Sequence, residues 1–154
     1  MLDWIAGWPL AGLLRHSGTA YLLVNAGHIA SIGLLFGAIT ALDLRLLGAA
    51  RALPLAAAGP YLSRLAAVGL ILALLTGACL FAVNPQDYLD NPAFLTKLGL
   101  LALGVVNVLW LHCRGQWNRA LQGESTPTRI KLHAAMSLLL WLGAIVAGRW
   151  IGFL

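Results

Sequence analysis

Charged residues are scarce in this chain, and acidic residues are the scarcest. Only 10% of the 154 residues are charged and only five are Asp or Glu, whereas 60% are hydrophobic. Soluble domains typically carry about 25% charged residues. With a mean hydropathy of +0.85, this composition argues against a water-soluble globule. It predicts a single integral membrane domain over residues 1–154.

Sequence motifs of common enzyme classes are also missing. The sequence has no GxSxG, no GxGxxG and no Walker lysine, which mark hydrolases and nucleotide-binding proteins. It has no HxxxH, CxxC or carboxylate cluster typical of zinc sites. The two cysteines, Cys79 and Cys113, are predicted to lie near opposite membrane faces, so we expect no disulfide between them. Because little of the chain lies outside the membrane, we predict that it is not an enzyme by itself.

Four apolar runs are long enough to cross about 30 Å of hydrocarbon as helices. Residues 20–42, 65–83 and 132–148 carry no formal charge, and residues 93–111 carry only Lys97. The predicted fold class is all-α, a transmembrane four-helix bundle with spans at about 19–47, 61–84, 93–119 and 128–152. A capping residue followed by a proline predicts the start of each of the last three spans, at Gly59-Pro60, Asn91-Pro92 and Thr126-Pro127. Ser17 is a candidate cap for the first span.

The first sixteen residues lack the basic segment and cleavage pattern of a signal peptide. Trp4 and Trp8 are four residues apart and share one helical face, and indole rings prefer the headgroup level. We predict a short interfacial helix within residues 1–16, broken at Pro9.

Basic residues are distributed unevenly between the two predicted membrane faces. Only Arg15, Lys97 and Arg149 fall on the face of the termini. The other face holds seven basic residues: Arg45, Arg51, Arg64, Arg114, Arg119, Arg129 and Lys131. The positive-inside rule then predicts a multi-pass protein of the bacterial inner membrane with both termini periplasmic. The basic residues cluster at span ends and form no stripe, so nucleic acid is not an expected partner.

Small residues recur at every fourth position in three spans, which predicts faces of close helix approach. They are Gly33, Gly37 and Ala41 in the first span, Gly69, Ala73 and Gly77 in the second, and Ala144 and Gly148 in the fourth.

Polar residues inside the spans are the candidate functional residues, because lipid-facing helices avoid them. His28 is predicted about 12 Å below the outer surface, and Asn25 lies one turn earlier, which predicts a polar pocket opening outward. His28 is then either a neutral histidine bonded between helices or a haem or metal ligand, proton carrier or quinone donor. For Asp43 we expect either an ion pair with Arg64 or Lys131, or an ordinary interfacial charge.

His112 and His133 are predicted near the same membrane face on neighbouring antiparallel helices. Two such imidazoles can coordinate one b-type haem, or another metal, with nearby basic residues on the haem propionates. Lys97 and Arg149, near the opposite face, either extend to the headgroups or bind an anionic headgroup, a haem propionate or a quinone carbonyl.

Short motifs support two resemblances. Residues 43–48, DLRLLG, and residues 148–151, GRWI, resemble small four-span bacterial inner-membrane proteins of unassigned function. His28 before a glycine-bearing helix is similar to copper-resistance D-type proteins and to small b-type cytochromes. The second resemblance implies metal or haem chemistry at His28.

The first functional hypothesis is a membrane subunit that holds b-type haem or quinone for electron transfer with a redox partner. The alternatives are a non-catalytic subunit that anchors or stabilises a larger membrane complex, and a small metal or ion permease. The expected partners are the lipid bilayer and other membrane subunits or further copies of the chain.

Overall fold

Four long helices dominate the computed structural model, which describes residues 7–49, 52–113, 117, 121 and 127–153. They are α2 (Gly18–Leu47), α3 (Leu55–Phe81), α5 (Pro92–Cys113) and α6 (Thr128–Trp150), with the short helices α1 (Pro9–His16) and α4 (Pro85–Leu89) between or before them. All four long helices are long and apolar enough to cross a membrane. The all-α, four-span prediction is therefore confirmed, and the chain is a multi-pass membrane protein.

The bundle has two distinct ends, which we call the terminal end and the loop end. At the terminal end α1, α4 and the 3-10 turn Ile151–Phe153 lie together: Arg15 donates to the Val83 carbonyl oxygen at 3.2 Å, and Asn91 donates to that of Ile151 at 3.3 Å. The loop end holds the connections from α2 to α3 and from α5 to α6. It is packed by a core of Leu46, Leu55, Leu111, Trp117 and Ile130, with further residues around them.

Side-chain caps begin two of the long helices as the sequence predicts. The Ser17 hydroxyl accepts from the Ala20 amide at 3.3 Å. The Asn91 side chain accepts from the amides of Ala93 and Phe94 at 3.0 and 3.3 Å, with Pro92 at the first helical position. At the other end of α2, Gly48 adopts a φ of 108°, a conformation that favours glycine and closes the helix.

The start predicted for the second span is wrong. Helix α3 begins at Leu55 after Pro54, and Pro60 lies inside it. Residues 56–58 are all alanine, the strongest helix former, so the helix extends into the segment predicted as a connection. The last span starts at Thr128, but Pro127 occupies the N-cap, whereas the predicted cap has Pro127 at the first helical position. Thr126 is outside the described residues.

In the described residues the N-terminal segment forms a helix that begins at Pro9, and residues 1–6, where a helix broken at Pro9 would begin, lie outside the described residues. Proline is well suited to the first helical position because no intrahelical partner exists for an amide there. Ala11 and Leu14 are buried, so α1 packs onto the bundle through this face. Trp4 lies outside the described residues, and an interfacial location for α1 stays a prediction.

The closest helix contacts are made at glycines. A Cβ built on Gly69 of α3 would lie 2.6 Å from the backbone nitrogen of Leu35 on α2, and one on Gly104 of α5 would lie 3.0 Å from the Trp141 ring on α6. The stripe of the second span therefore packs within the chain, and so does that of the fourth span, where Ala144 is buried and Gly148 lies against Lys97. Helix α2 also contacts α6, so it links the α2–α3 and α5–α6 pairs.

The stripe of the first span does not pack within the chain. Gly33, Gly37 and Ala41 are exposed, and a Cβ on either glycine would meet nothing within 4 Å. The buried face of α2 instead carries larger residues such as Leu35, Ile39 and Leu42. The prediction that this stripe forms a contact inside the bundle is wrong, because the larger side chains bury more apolar surface.

Candidate functional site

Polar side chains collect in two layers of the bundle. The terminal layer consists of His28, Thr76 and Lys97, and the loop-end layer consists of Asp43, Asn107, His133 and Ser137. Between them lies an apolar cluster built on Leu35, Ile39 and Trp141. Because α2 contributes His28 to one layer and Asp43 to the other, the layers are separated by about 22 Å along that helix.

His28 points into the protein, as predicted, and contacts α3. Its Nδ1 lies 2.9 Å from the Thr76 hydroxyl oxygen. That hydroxyl donates to the Leu72 carbonyl at 2.7 Å, so it accepts from Nδ1–H and fixes the tautomer. In a neutral ring Nε2 then carries the lone pair and is available as a ligand or an acceptor.

Glycines make the space for the terminal layer. A Cβ on Gly77 would lie 3.1 Å from Cε1 of His28, and a Cβ on Gly148 would lie 3.3 to 3.4 Å from the end of the Lys97 side chain. Lys97 is half-buried, and its positive charge acts on the His28 ring. Among the described residues no carboxylate forms an ion pair with Lys97. The terminal layer thus joins an imidazole and an ammonium group without a counter-ion of its own.

Two residues predicted for this site lie elsewhere. Asn25 is exposed, so the polar neighbours of His28 are Thr76 and Lys97 rather than Asn25. Arg149 is also exposed, and its guanidinium carbon lies 4.8 Å above the Phe153 ring centre. The guanidinium group of Arg149 is thus directed toward Phe153, while Lys97 packs against the neighbouring Gly148.

An aromatic cluster covers the terminal end next to this layer. Phe81, at the end of α3, stacks on Phe94 with ring centres 5.7 Å apart, and Tyr88 of α4 contacts both rings. Burial raises the pKa of the Tyr88 phenol, and the neighbouring Tyr21 phenol raises it further. Tyr88 therefore stays a neutral hydrogen-bonding group in this cluster at physiological pH.

In the loop-end layer His133 pairs with Asn107. Nδ1 of His133 lies 2.6 Å from the Asn107 side-chain oxygen, and the Asn107 amide donates to the His133 carbonyl oxygen at 3.1 Å. This reciprocal pair joins α5 to α6 and satisfies both polar groups of a buried asparagine side chain.

His112 is not brought to His133. It is exposed, it bonds through Nδ1 to the Val108 carbonyl of its own helix at 2.9 Å, and its ring stacks on Trp117 at 4.8 Å. Asn107, the partner of His133, lies five residues earlier, about 7.5 Å along α5. His112 and His133 thus have separate partners and do not face a common space in which a haem could lie between the two imidazoles. A haem or metal on His112 and His133 stays a prediction that this geometry does not favour. Two of the arginines predicted near the propionates, Arg114 and Arg119, lie outside the described residues.

Asp43 is buried, with 5% of its surface exposed, and forms a hydrogen bond with Ser137 of α6. No ion pair joins it to Arg64 or Lys131, which are both exposed. The predicted ion pair with either residue is therefore wrong. Helix α2 is rotated so that Asp43 faces α6 inside the bundle.

Several participants were not singled out from the sequence. Thr76 and Ser137 are hydroxyl residues inside apolar runs, where they often bond within their own helix, so sequence alone does not identify their interhelical partners. Within the described ranges, no three His, Cys, Asp or Glu residues cluster as a metal site would require.

An apolar groove of about 610 Å³ lies on the outer surface of α5 and α6 near the terminal end. Its lining is almost free of polar groups and fits a lipid chain better than a polar ligand. The lining residues are Pro92, Ala93, Thr96, Leu100, Leu139, Leu142, Gly143, Val146, Ala147 and Trp150.

Comparison with known proteins places the chain in a family. The model of a family of unknown function, DUF6644, matches residues 4–154. The chain belongs to this family. No curated protein and no solved structure matches it. Membership agrees with the resemblance to proteins of unassigned function. The similarity to copper-resistance D-type proteins and small b-type cytochromes is not supported by any matching relative.

Proposed function

We propose that the chain is a membrane subunit that binds a quinone at the terminal layer and exchanges electrons through it with a redox partner. The observation that carries this proposal is the pairing of His28 and Lys97 in one layer without a counter-ion among the described residues. A quinone is neutral and has two carbonyl oxygens, so it requires hydrogen-bond donors inside a membrane protein.

The two side chains suit different states of such a ligand. The Lys97 ammonium group donates to a carbonyl oxygen and stabilises the negative charge that appears there on reduction. His28, with Nδ1 fixed by Thr76, presents Nε2 as an acceptor for the hydroxyl of a quinol. A cation placed within the membrane domain without a partner is itself a sign of ligand binding.

Haem is the other cofactor of the hypothesis, and the terminal layer has one feature that suits it. Nδ1 of His28 is hydrogen-bonded to Thr76, as is typical of an imidazole that ligates iron through Nε2. However, its ring lies edge-on against Gly77, and the described residues near it include no second histidine on a facing helix. We therefore place haem after quinone.

A non-catalytic anchoring role is the second candidate function, and the exposed stripe of α2 favours it. Small residues on a lipid-facing surface permit close approach by another helix. In this role the subunit stabilises a larger membrane complex, and the terminal layer contributes packing only.

We further propose that the protein lies in the bacterial inner membrane with both termini periplasmic, on the distribution of basic residues. Cysteine labelling in intact cells tests the orientation after Cys79 and Cys113 are replaced by Ser. A cysteine at Gln86 should react with an impermeant reagent, and one at Ala56 should be protected. The reverse pattern would show the opposite orientation.

Quinone binding is tested on protein purified in a mild detergent. Short-chain ubiquinone and menaquinone analogues are titrated while tryptophan fluorescence is recorded, and co-purified quinone is extracted and quantified. We expect saturable quenching in the unchanged protein and at least a tenfold weaker affinity in Lys97→Met and His28→Phe. Arg149→Gln is the matched control, because it removes an exposed cation from the same end.

The outcomes separate the candidates. Equal quinone affinity in all variants, or no saturable binding, would reject the quinone site and favour the anchoring role. A Soret band that is lost in His28→Ala and kept in His112→Ala would replace quinone by haem at the same layer.

A further inference from the structure

Asp43 is an acidic group that the proposed function does not use. Only 5% of its surface is exposed, and its Oδ2 atom is buried with no hydrogen-bond partner in the described part of the chain. The carboxyl group is hydrogen-bonded to Ser137, which is itself 3% exposed, and because Oδ2 has no partner we assign this bond to Oδ1. A carboxyl group in this position is either neutral or balanced by a cation.

None of the basic side chains described at the loop end forms an ion pair with Asp43. Arg45 donates to the Leu53 carbonyl oxygen at 2.7 Å. Arg64, Arg129 and Lys131 are exposed. On α6, His133 lies one turn from Ser137 toward the loop end, and its Nδ1 is bonded to Asn107. The elements that pack against α2 here, α3 and α6, thus present no paired cation to Asp43 among the described residues.

An unpaired carboxylate inside a membrane domain is strongly disfavoured. A bound metal ion would need several further oxygen ligands, and the described residues include no third acidic or histidine ligand in a cluster with Asp43. A proton needs no ligand other than the carboxyl group itself. Among the cations considered, a proton is therefore the one that suits this site as the described residues form it.

We propose that Asp43 and Ser137 form a proton-binding site inside the membrane domain that exchanges with the loop end. Uptake forms an O–H bond at Oδ2 and removes the negative charge; release breaks that bond and passes the proton to water, with no electron transferred. The Ser137 hydroxyl donates to Oδ1 in both states and keeps Oδ2 free. Asp43 lies four residues before the end of α2, about 6 Å from the loop end, so that end is the nearer source of protons.

Dicyclohexylcarbodiimide tests the site, because this apolar reagent modifies neutral carboxyl groups buried in membrane proteins. The unchanged protein in detergent micelles is treated at neutral pH, and peptide mass mapping locates the adduct. We expect the adduct on Asp43 and not on the exposed Asp87 and Asp90, with a rate that falls as the pH is raised. Modification of other carboxyls without Asp43 would overturn the proposal. Protection of Asp43 by sodium but not by choline at fixed pH would also overturn it, in favour of a metal-cation site.

Infrared spectroscopy gives a second measurement, because it detects whether the Asp43 carboxyl group is protonated and does not depend on how the residue packs. A neutral carboxyl has a carbonyl stretching band, which we expect to be missing in Asp43→Asn. In Ser137→Ala the same band should shift to higher frequency, because one hydrogen bond to the carbonyl oxygen is lost. If no such band is present at neutral pH in the unchanged protein, Asp43 is ionised and the proposal fails.

Discussion

The terminal layer and the loop-end layer differ in how far their polar side chains are buried and bonded to one another. Both place polar side chains within apolar helices, where unsatisfied groups are disfavoured. In the loop-end layer Asn107, Ser137 and Asp43 are buried and bonded across helices. In the terminal layer His28 and Lys97 are only half-buried, and Lys97 has no ion-pair partner in the part of the chain that the structure describes.

This difference indicates a division of roles between the two ends. At the loop end the reciprocal Asn107–His133 pair contributes to the stability of the bundle and tolerates little change, whereas Asp43 keeps one carboxyl oxygen without a partner in the described part of the chain. A layer that keeps a cation and an imidazole without a full set of partners contributes less to stability and is more open to a ligand. Substitutions should therefore affect folding at the loop end and binding at the terminal end.

The largest effect is expected from a substitution at Gly69, where α3 packs most closely against α2, the helix that contributes to both layers. Gly69→Ala places a Cβ about 2.6 Å from the Leu35 backbone, and backbone atoms cannot move aside without separating α2 from α3. We expect a loss of roughly 2–3 kcal/mol in the free energy of unfolding, together with weaker quinone binding. Thermal unfolding in detergent measures the first effect. Gly33→Ala is the matched control and should change stability by less than about 0.5 kcal/mol.

A smaller effect is expected from the loop-end pair. Asn107→Ala leaves the His133 carbonyl and ring nitrogen without their partner, which should reduce the free energy of unfolding by about 2 kcal/mol. His112→Ala, at an exposed histidine on the same helix, should have little effect. Quinone affinity should be unchanged in both variants. A loss of binding without a loss of stability in Asn107→Ala would invert the proposed division of roles.

The smallest change in stability is expected from the terminal layer. Thr76→Val removes the acceptor for His28 Nδ1 while keeping the side-chain shape, and should cost about 1 kcal/mol of unfolding free energy. Quinone affinity should fall severalfold because the ring is no longer fixed. Thr96→Val serves as control, since Thr96 bonds only to the Pro92 carbonyl of its own helix. Equal binding in the two variants would show that the orientation of His28 is irrelevant to the ligand.

The spans could be predicted from sequence because each is a long apolar run with at most one charge, although the start predicted for the second span is wrong. The caps at Ser17 and Asn91 could be predicted because those side chains act locally. The inward orientation of His28 also followed from the disfavoured exposure of a polar ring to lipid. These features depend on residues close in sequence or on the membrane itself.

The pairing of side chains between helices could not be predicted in the same way. It depends on how each helix is rotated about its axis, and α2 has small residues on one face and larger apolar residues on another. The sequence pattern favoured the face with Gly33 and Gly37, whereas the fold buries the face with Leu35. For the same reason Asp43 faces Ser137 instead of a basic residue, and His133 faces Asn107 instead of His112.

The bond between Asn91 and Ile151 also bears on the order in which the bundle is assembled. Asn91 caps α5 with its side-chain oxygen, while its amide group holds a carbonyl 60 residues later in the chain. During synthesis the first of these interactions is available as soon as α5 forms, but the second must wait for the last span. This contact at the terminal end can therefore form only after the last span has been synthesised. A nascent chain held before residue 151 should keep the cap of α5 and lack this connection between the start of α5 and the end of α6.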